Sequence, residues 1–146
     1  MNVIALIMAA GTGERFGARK QTSLLNGRTM LACSCAVLAD SPRVAGLVVV
    51  TTPGDESAPL DVPGGEAARK LVAVVGGGAT RQDSVYNGLD RVPDGTTHVL
   101  IHDAARPCLT AMLRDRVIDA LAAHEAVVPA VPVTDTLIRD VDANVD

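Results

Sequence analysis

V-I-A-L-I-M-A-A-G-T-G-E-R-F-G, residues 3–17, decides the fold. Val3–Met8 is a short, uninterrupted apolar run, the pattern of a strand buried on both faces. It leads directly into a loop carrying Gly11 and Gly13. Glycine lets the backbone turn sharply and lets a ligand approach, and such a loop aims several N–H groups in one direction, which suits a phosphate. Arg15 and Lys20 add two positive charges nearby. Strand, glycine loop and cations together make a triphosphate grip; read alone, the loop also fits an ordinary strand-to-helix turn.

Two familiar phosphate loops are excluded. A Walker A loop ends in Gly-Lys-Ser/Thr, whereas Lys20 stands between Arg19 and Gln21. A dinucleotide loop places a third glycine three residues after the second, where this chain has Phe16, with Gly17 one residue late. The acidic residue expected at the end of a second strand, about 20 residues on, is also missing.

Outward from this stretch, strand and helix signals alternate. Met30–Asp40 reads as a helix ended by Ser41-Pro42, and Leu47–Thr51 as a second strand. Residues 52–68 are rich in Pro, Gly and acid and read as a loop with room for a short helix. Leu71–Val75 is a third strand, closed by Gly76-Gly77-Gly78. Arg81–Arg91 is a helix stopped at Pro93-Asp94-Gly95, and Val99–Ile101 is the centre of a fourth strand. Thr110 caps a helix over Ala111–His124, and Val127–Val131 reads as a fifth strand closed by Pro132. Short apolar strands between helices predict an α/β fold with a doubly wound, mainly parallel, Rossmann-like sheet.

Composition agrees. The 146 residues make one domain, 48% hydrophobic but only 1% aromatic, with Phe16 and Tyr86 the whole aromatic inventory. A Val/Leu/Ile/Ala core suits parallel strands, and so few rings argue against a platform that stacks single-stranded bases. A net charge of −4 with no basic tract argues against nucleic-acid polymers. Three cysteines, Cys33, Cys35 and Cys108, form no disulfide framework and fit free thiols in a reducing compartment. Cys33 and Cys35 lie two apart on a helix, on different faces, and make no zinc pair. The N-terminal apolar run is too short for a membrane span and lacks the basic lead of a signal peptide, so the expectation is a cytoplasmic protein.

The polar signals fall just after strands, where parallel sheets bind their ligands. Gly11 to Arg15 follow strand one, Gly76 to Ser84 strand three, His102 to Arg106 strand four and Pro132 to Thr136 strand five. Four segments converging on one crevice are more specific than any one of them. Asp103 ends a strand, where a carboxylate can hold Mg²⁺ with substrate phosphates; a helix cap or a partner for Arg106 is the equal alternative. Arg106 suits a second phosphate, His102 reads as a structural histidine, and Asp83 and Ser84 also fit as ordinary caps beside the triple glycine.

A-A-G-T-G-E-R-F-G, K-Q, G-G-x-x-R-x-D-S-V (77–85), V-L-I-H-D-A-A-R-P (99–107) and P-V-T-D-T (132–136) together resemble the 2-C-methyl-D-erythritol 4-phosphate cytidylyltransferases of the non-mevalonate isoprenoid pathway. The motifs stand in family order over almost the whole chain. The resemblance implies transfer of a cytidylyl group from CTP to methylerythritol phosphate, with Mg²⁺ as cofactor. It implies Arg15 and Lys20 as transition-state stabilisers on the triphosphate, with the glycine loop of Gly11 and Gly13 around it. It assigns Ala9, Ala10, Gly78 and Ser84 to cytidine, Asp103 to the metal, and Asp103 with Ala104 to the nucleotide. Arg106, Asp135 and Thr136 would face methylerythritol phosphate.

The chain departs from the family pattern at Arg19, where a proline is usual, in the short loop between Phe16 and Lys20, and at Thr22 and Ser23 after Lys20-Gln21. Family members continue past the position of Asp146 into a dimerising arm and a further substrate-binding segment, so the expectation is a homodimer weakened here and a domain lacking its C-terminal part. The alternatives are a cytidylyltransferase for another pentitol phosphate, such as ribitol 5-phosphate, and a CTP-binding fragment without turnover.

Overall fold

The computed structural model describes residues 1–11, 20–56 and 64–135. Six strands and four α-helices follow in the order β1 (Val3–Met8), β2 (Leu24–Leu25), β3 (Arg28–Thr29), α1 (Met30–Ala39), β4 (Val44–Thr51), α2 (Glu66–Lys70), β5 (Leu71–Gly76), α3 (Arg81–Leu89), β6 (His98–Asp103) and α4 (Ala111–Ala120). A 3₁₀ turn, Lys20–Thr22, precedes β2. The main sheet is parallel throughout, ordered β5-β4-β1-β6. From the central β1 the chain winds outward through β4 and β5, then returns to the other flank as β6. This is the doubly wound arrangement, with its switch between β1 and β6.

The apolar run of β1 is explained by its place. Alternate residues of the strand enter opposite layers. Val3, Ala5 and Ile7 pack with Leu31, Cys35 and Leu38 of α1 and with Ile118 of α4, while Ile4 and Leu6 pack with Val48, Val50 and Val85 on the α3 side. All five are nearly or fully buried. Gly88 lets α3 lie directly on the sheet, since a Cβ there would stand 2.8 Å from Val50 Cγ2. Thr29, Thr80 and Thr110 cap α1, α3 and α4; Thr80 and Asp83 form a reciprocal capping box.

Several boundaries differ from the sequence reading. β4 starts three residues earlier, at Val44, because Val44 is itself fully buried beside Val3. α3 stops at Leu89 and α4 at Ala120, with His124 beyond its end. The Leu24–Leu25/Arg28–Thr29 hairpin turns on Asn26 (φ 50°) and Gly27 (φ 79°). Asn-Gly is the sequence signal of such a two-residue turn.

The fifth strand is the main correction. Residues 125–134 form no regular element, and Val128 and Val131 are exposed. Val127, Val128 and Pro129 instead face β6 and α4 across a groove of about 670 Å³. Pro129 and Pro132 each remove a ladder donor, which weakens strand pairing there.

Candidate active site

The carboxyl ends of β1, β4, β5 and β6 open into one crevice of about 930 Å³. Its walls include Ala9, Ala10 and Gly11 after β1, Gly78 to Arg81 and Ser84 after β5, and Asp103, Ala105 and Arg106 at the end of β6. Lys20 and Gln21 close the side nearest the glycine loop. Among the described residues, three cations, Lys20, Arg81 and Arg106, share the crevice walls with one carboxylate, Asp103. A cleft with that balance focuses a positive potential suited to a polyanion such as a triphosphate.

The first wall is fixed by backbone bonds to neighbouring strands and by one buried side chain. Ala9 N–H donates to the Val50 carbonyl (2.7 Å), continuing the β1–β4 ladder one residue past the strand. The Gln21 amide donates to the carbonyls of Ala9 (2.9 Å) and Gly11 (3.0 Å). Gln21 is 8% exposed. Its motif was visible in the sequence, but its role as the clamp of the glycine loop was not.

The second wall is the triple glycine. Gly77 N–H donates to the Thr51 carbonyl (2.8 Å). A Cβ on Gly77 would come within 2.6 Å of Ala10 Cβ and 2.8 Å of Ser84 Oγ. A Cβ on Gly78 would press on the backbone of Asp83, whose carbonyl carbon lies 3.2 Å away. Close packing therefore requires both glycines, Gly77 against the glycine loop and Gly78 against the start of α3. Ser84 Oγ accepts from Gly78 N–H (3.0 Å) and donates to the Thr80 carbonyl (2.9 Å), which leaves it one lone pair for a ligand. Asn87 holds the strand end by donating to the Gly76 carbonyl (3.0 Å).

The third wall is D-A-A-R. Arg106 N–H donates to the Asp103 carbonyl (3.0 Å), closing a turn, and Arg106 Nε pairs with Asp103 Oδ2 (3.0 Å). Arg81 Nη2, from the start of α3, lies 3.2 Å from Asp103 Oδ1. His102 Nε2–H donates to the Arg106 carbonyl (3.2 Å). Burial holds the His102 pKa below its ordinary value of 6.5, against the opposing pull of that hydrogen bond and of Asp103.

The structure thus brings Ala9, Ala10, Gly11, Lys20, Gly78, Ser84, Asp103 and Arg106 to one crevice. Ala104 is placed otherwise: it is fully buried, its N–H donates to the Met8 carbonyl (2.9 Å), and its carbonyl accepts from the buried Ser34 hydroxyl (3.1 Å). Ala105 takes the crevice wall instead. The cause is the turn after β6, which sends the first alanine inward and the second outward. Asp135 is exposed and does not line the crevice. Gly13, Arg15 and Thr136 lie outside the described residues.

Among the described residues no three His, Cys, Asp or Glu side chains gather as a metal cage. Among the described residues, Asp103 is the single carboxylate on the crevice walls. One hard oxygen donor facing a phosphate-sized space fits Mg²⁺, which takes one or two carboxylates and completes its shell with substrate phosphates and water. No helix among the described residues is long and apolar enough to cross a membrane.

Comparison with known proteins agrees with this geometry. A family profile described as 2-C-methyl-D-erythritol 4-phosphate cytidylyltransferase, IspD, matches residues 3–145. The chain is 42% identical to a bifunctional enzyme IspD/IspF of Solidesulfovibrio magneticus, over 99% of this chain and 38% of that protein. It is 45% identical to a 2-C-methyl-D-erythritol 4-phosphate cytidylyltransferase of Nitrosospira multiformis, over 94% of this chain and 62% of that protein. The crystal structure of a 4-diphosphocytidyl-2C-methyl-D-erythritol synthase from Anaerococcus prevotii superposes with a TM-score of 0.79 at 27% identity, covering 97% of this chain and 61% of that one. The chain therefore spans between 38% and 62% of the length of these relatives.

Proposed function

Because the chain belongs to the 2-C-methyl-D-erythritol 4-phosphate cytidylyltransferase family, we propose that its crevice binds CTP and serves cytidylyl transfer to methylerythritol phosphate. In that reaction a phosphate oxygen of the acceptor attacks the α-phosphorus of CTP in line. The bond between the α-phosphorus and the bridging oxygen breaks, and pyrophosphate leaves. No covalent bond to the protein forms, so the contribution of the chain is positioning and charge stabilisation.

The observation that carries this reading is the convergence of the three walls on one crevice that carries, among the described residues, three cations and one carboxylate. Ala9, Ala10, Gly78 and Ser84, all small residues on the crevice wall, form the side that receives the cytidine. Lys20 serves the triphosphate, and Arg15, with Gly13, joins it by the family pattern. Asp103 would hold Mg²⁺, which when bound neutralises phosphate charge and aligns the reacting groups. Arg106, with Asp135 and Thr136, serves the methylerythritol phosphate. A cytoplasmic homodimer fits the same reading.

Nucleotide selectivity tests it. Titration calorimetry of the chain with Mg²⁺ and CTP, UTP or ATP should show clear preference for CTP, because a mismatched base leaves buried polar groups unpaired. Equal affinity for all three would overturn the assignment.

A further inference from the structure

Arg81 belongs to the G-G-x-x-R-x-D-S-V motif, and local sequence assigns it no role. In the structure it bridges two walls: it leaves the start of α3 and reaches Asp103 at the end of β6, with Nη2 3.2 Å from Oδ1. The other carboxylate oxygen, Oδ2, is held by Arg106 Nε at 3.0 Å. Both oxygens of Asp103, the only carboxylate on the crevice walls among the described residues, are thus covered by guanidinium groups. The two arginines are mostly exposed, at 67% and 77%, and Asp103 at 32% is open to the crevice, so either pairing can exchange without unfolding anything.

We propose that Arg81 is an exchangeable counter-charge. It occupies Asp103 Oδ1 in the free chain, yields that oxygen to the divalent cation, and then binds the triphosphate that arrives with it. This rests on the nucleotidyltransferase reading above. The physical reason is that a dication on Oδ1 places two positive charges where the guanidinium now sits, and the two repel. Arg81 lines the same crevice as Lys20 and Asp103, so the anion its displaced guanidinium meets is the incoming phosphate chain. Arg81 makes one contact to the carboxylate, through Nη2, and a planar guanidinium can engage phosphate oxygens with two, so the exchange need lose no hydrogen bond. Arg106, three residues from Asp103 in the same turn, covers Oδ2 and leaves Oδ1 as the oxygen that Arg81 yields.

The test separates two affinities. Mn²⁺ binding to the nucleotide-free chain is followed by electron paramagnetic resonance, and CTP binding with Mg²⁺ by calorimetry, for wild type, Arg81→Gln and Arg81→Lys. Arg81→Gln should bind Mn²⁺ more tightly, by about threefold or more, because a competing cation is gone. The same variant should bind CTP–Mg²⁺ about tenfold more weakly, the effect of one lost charge-assisted contact. Arg81→Lys should recover part of the CTP affinity. Unchanged CTP–Mg²⁺ affinity in Arg81→Gln, or Mn²⁺ and CTP affinities falling together, would show that Arg81 merely props Asp103 and would overturn the proposal alone. A wild-type chain that binds no CTP would overturn the nucleotidyltransferase reading, and the proposal with it.

Discussion

Gln21 is tied to Ala9: its side-chain amide donates to the Ala9 carbonyl at 2.9 Å and, with its other hydrogen, to the Gly11 carbonyl at 3.0 Å. The first strand ends at Met8, so these carbonyls have no ladder of their own beyond it. A buried amide from the 3₁₀ turn satisfies both and holds the loop against the crevice. Gln21→Glu keeps the shape but sets a carboxylate against two carbonyl oxygens. It should lower stability by about 1–3 kcal/mol, the cost of unsatisfied buried polar groups, and weaken CTP binding. Denaturant melts and calorimetry on the same preparation check both.

Gly77 allows the second and first walls to touch. Gly77→Ala would drive a methyl to 2.6 Å from Ala10 Cβ and 2.8 Å from Ser84 Oγ. The loops must part, at a cost of about 1–3 kcal/mol typical of overpacking. CTP affinity should fall as the cytidine side distorts, while the far-ultraviolet circular dichroism stays unchanged. Undiminished affinity would mean that the base binds elsewhere.

Lys20 lies on the crevice wall at the start of the 3₁₀ turn. Lys20→Ala should slow pyrophosphate release by about 10²-fold, as removal of a transition-state charge donor does, with the melting temperature little changed. A neutral result would show that the short loop before Lys20 keeps it out of the transition state.

Asp103→Asn removes a charge while retaining the side-chain shape. Mg²⁺ should then enhance CTP binding far less than in wild type, and metal-free CTP binding should change little. Identical Mg²⁺ titrations would assign Asp103 to the loop structure it makes with Arg106 and Arg81.

His102 gives the fold a pH dependence. Burial holds its folded pKa below the ordinary 6.5, so the unfolded chain takes up the proton first as pH falls. Its contribution is full above 6.5 and declines as pH drops below that value toward the folded pKa. His102→Gln keeps a donor for the Arg106 carbonyl and should flatten this part of the stability profile. A profile unchanged by the substitution would place the acid sensitivity in other groups.

Much of this was legible in the chain itself. The 3–8 run, buried on both faces, and the polar signals placed after strands gave the parallel sheet and the site at its carboxyl edge, because burial on two faces demands continuous apolarity and crossover helices leave strand ends open. The Asn26-Gly27 turn was equally legible by its left-handed backbone need.

What tertiary structure alone decided is which atoms meet. The run 127–131 has a strand's composition, but pairing depends on a neighbouring edge and on N–H donors, and the prolines remove some of these. Ala104 and Ala105 are the same residue type one position apart; only the turn after β6 buries the first and exposes the second. The contact of Arg81 with Asp103 spans 22 residues and two elements, and no local pattern encodes it. Periodicity and turn chemistry are properties of neighbouring residues, and a sequence displays them. Which side chain covers a given carboxylate is fixed by the packing of α3 against the sheet, and that exists only once the chain has folded.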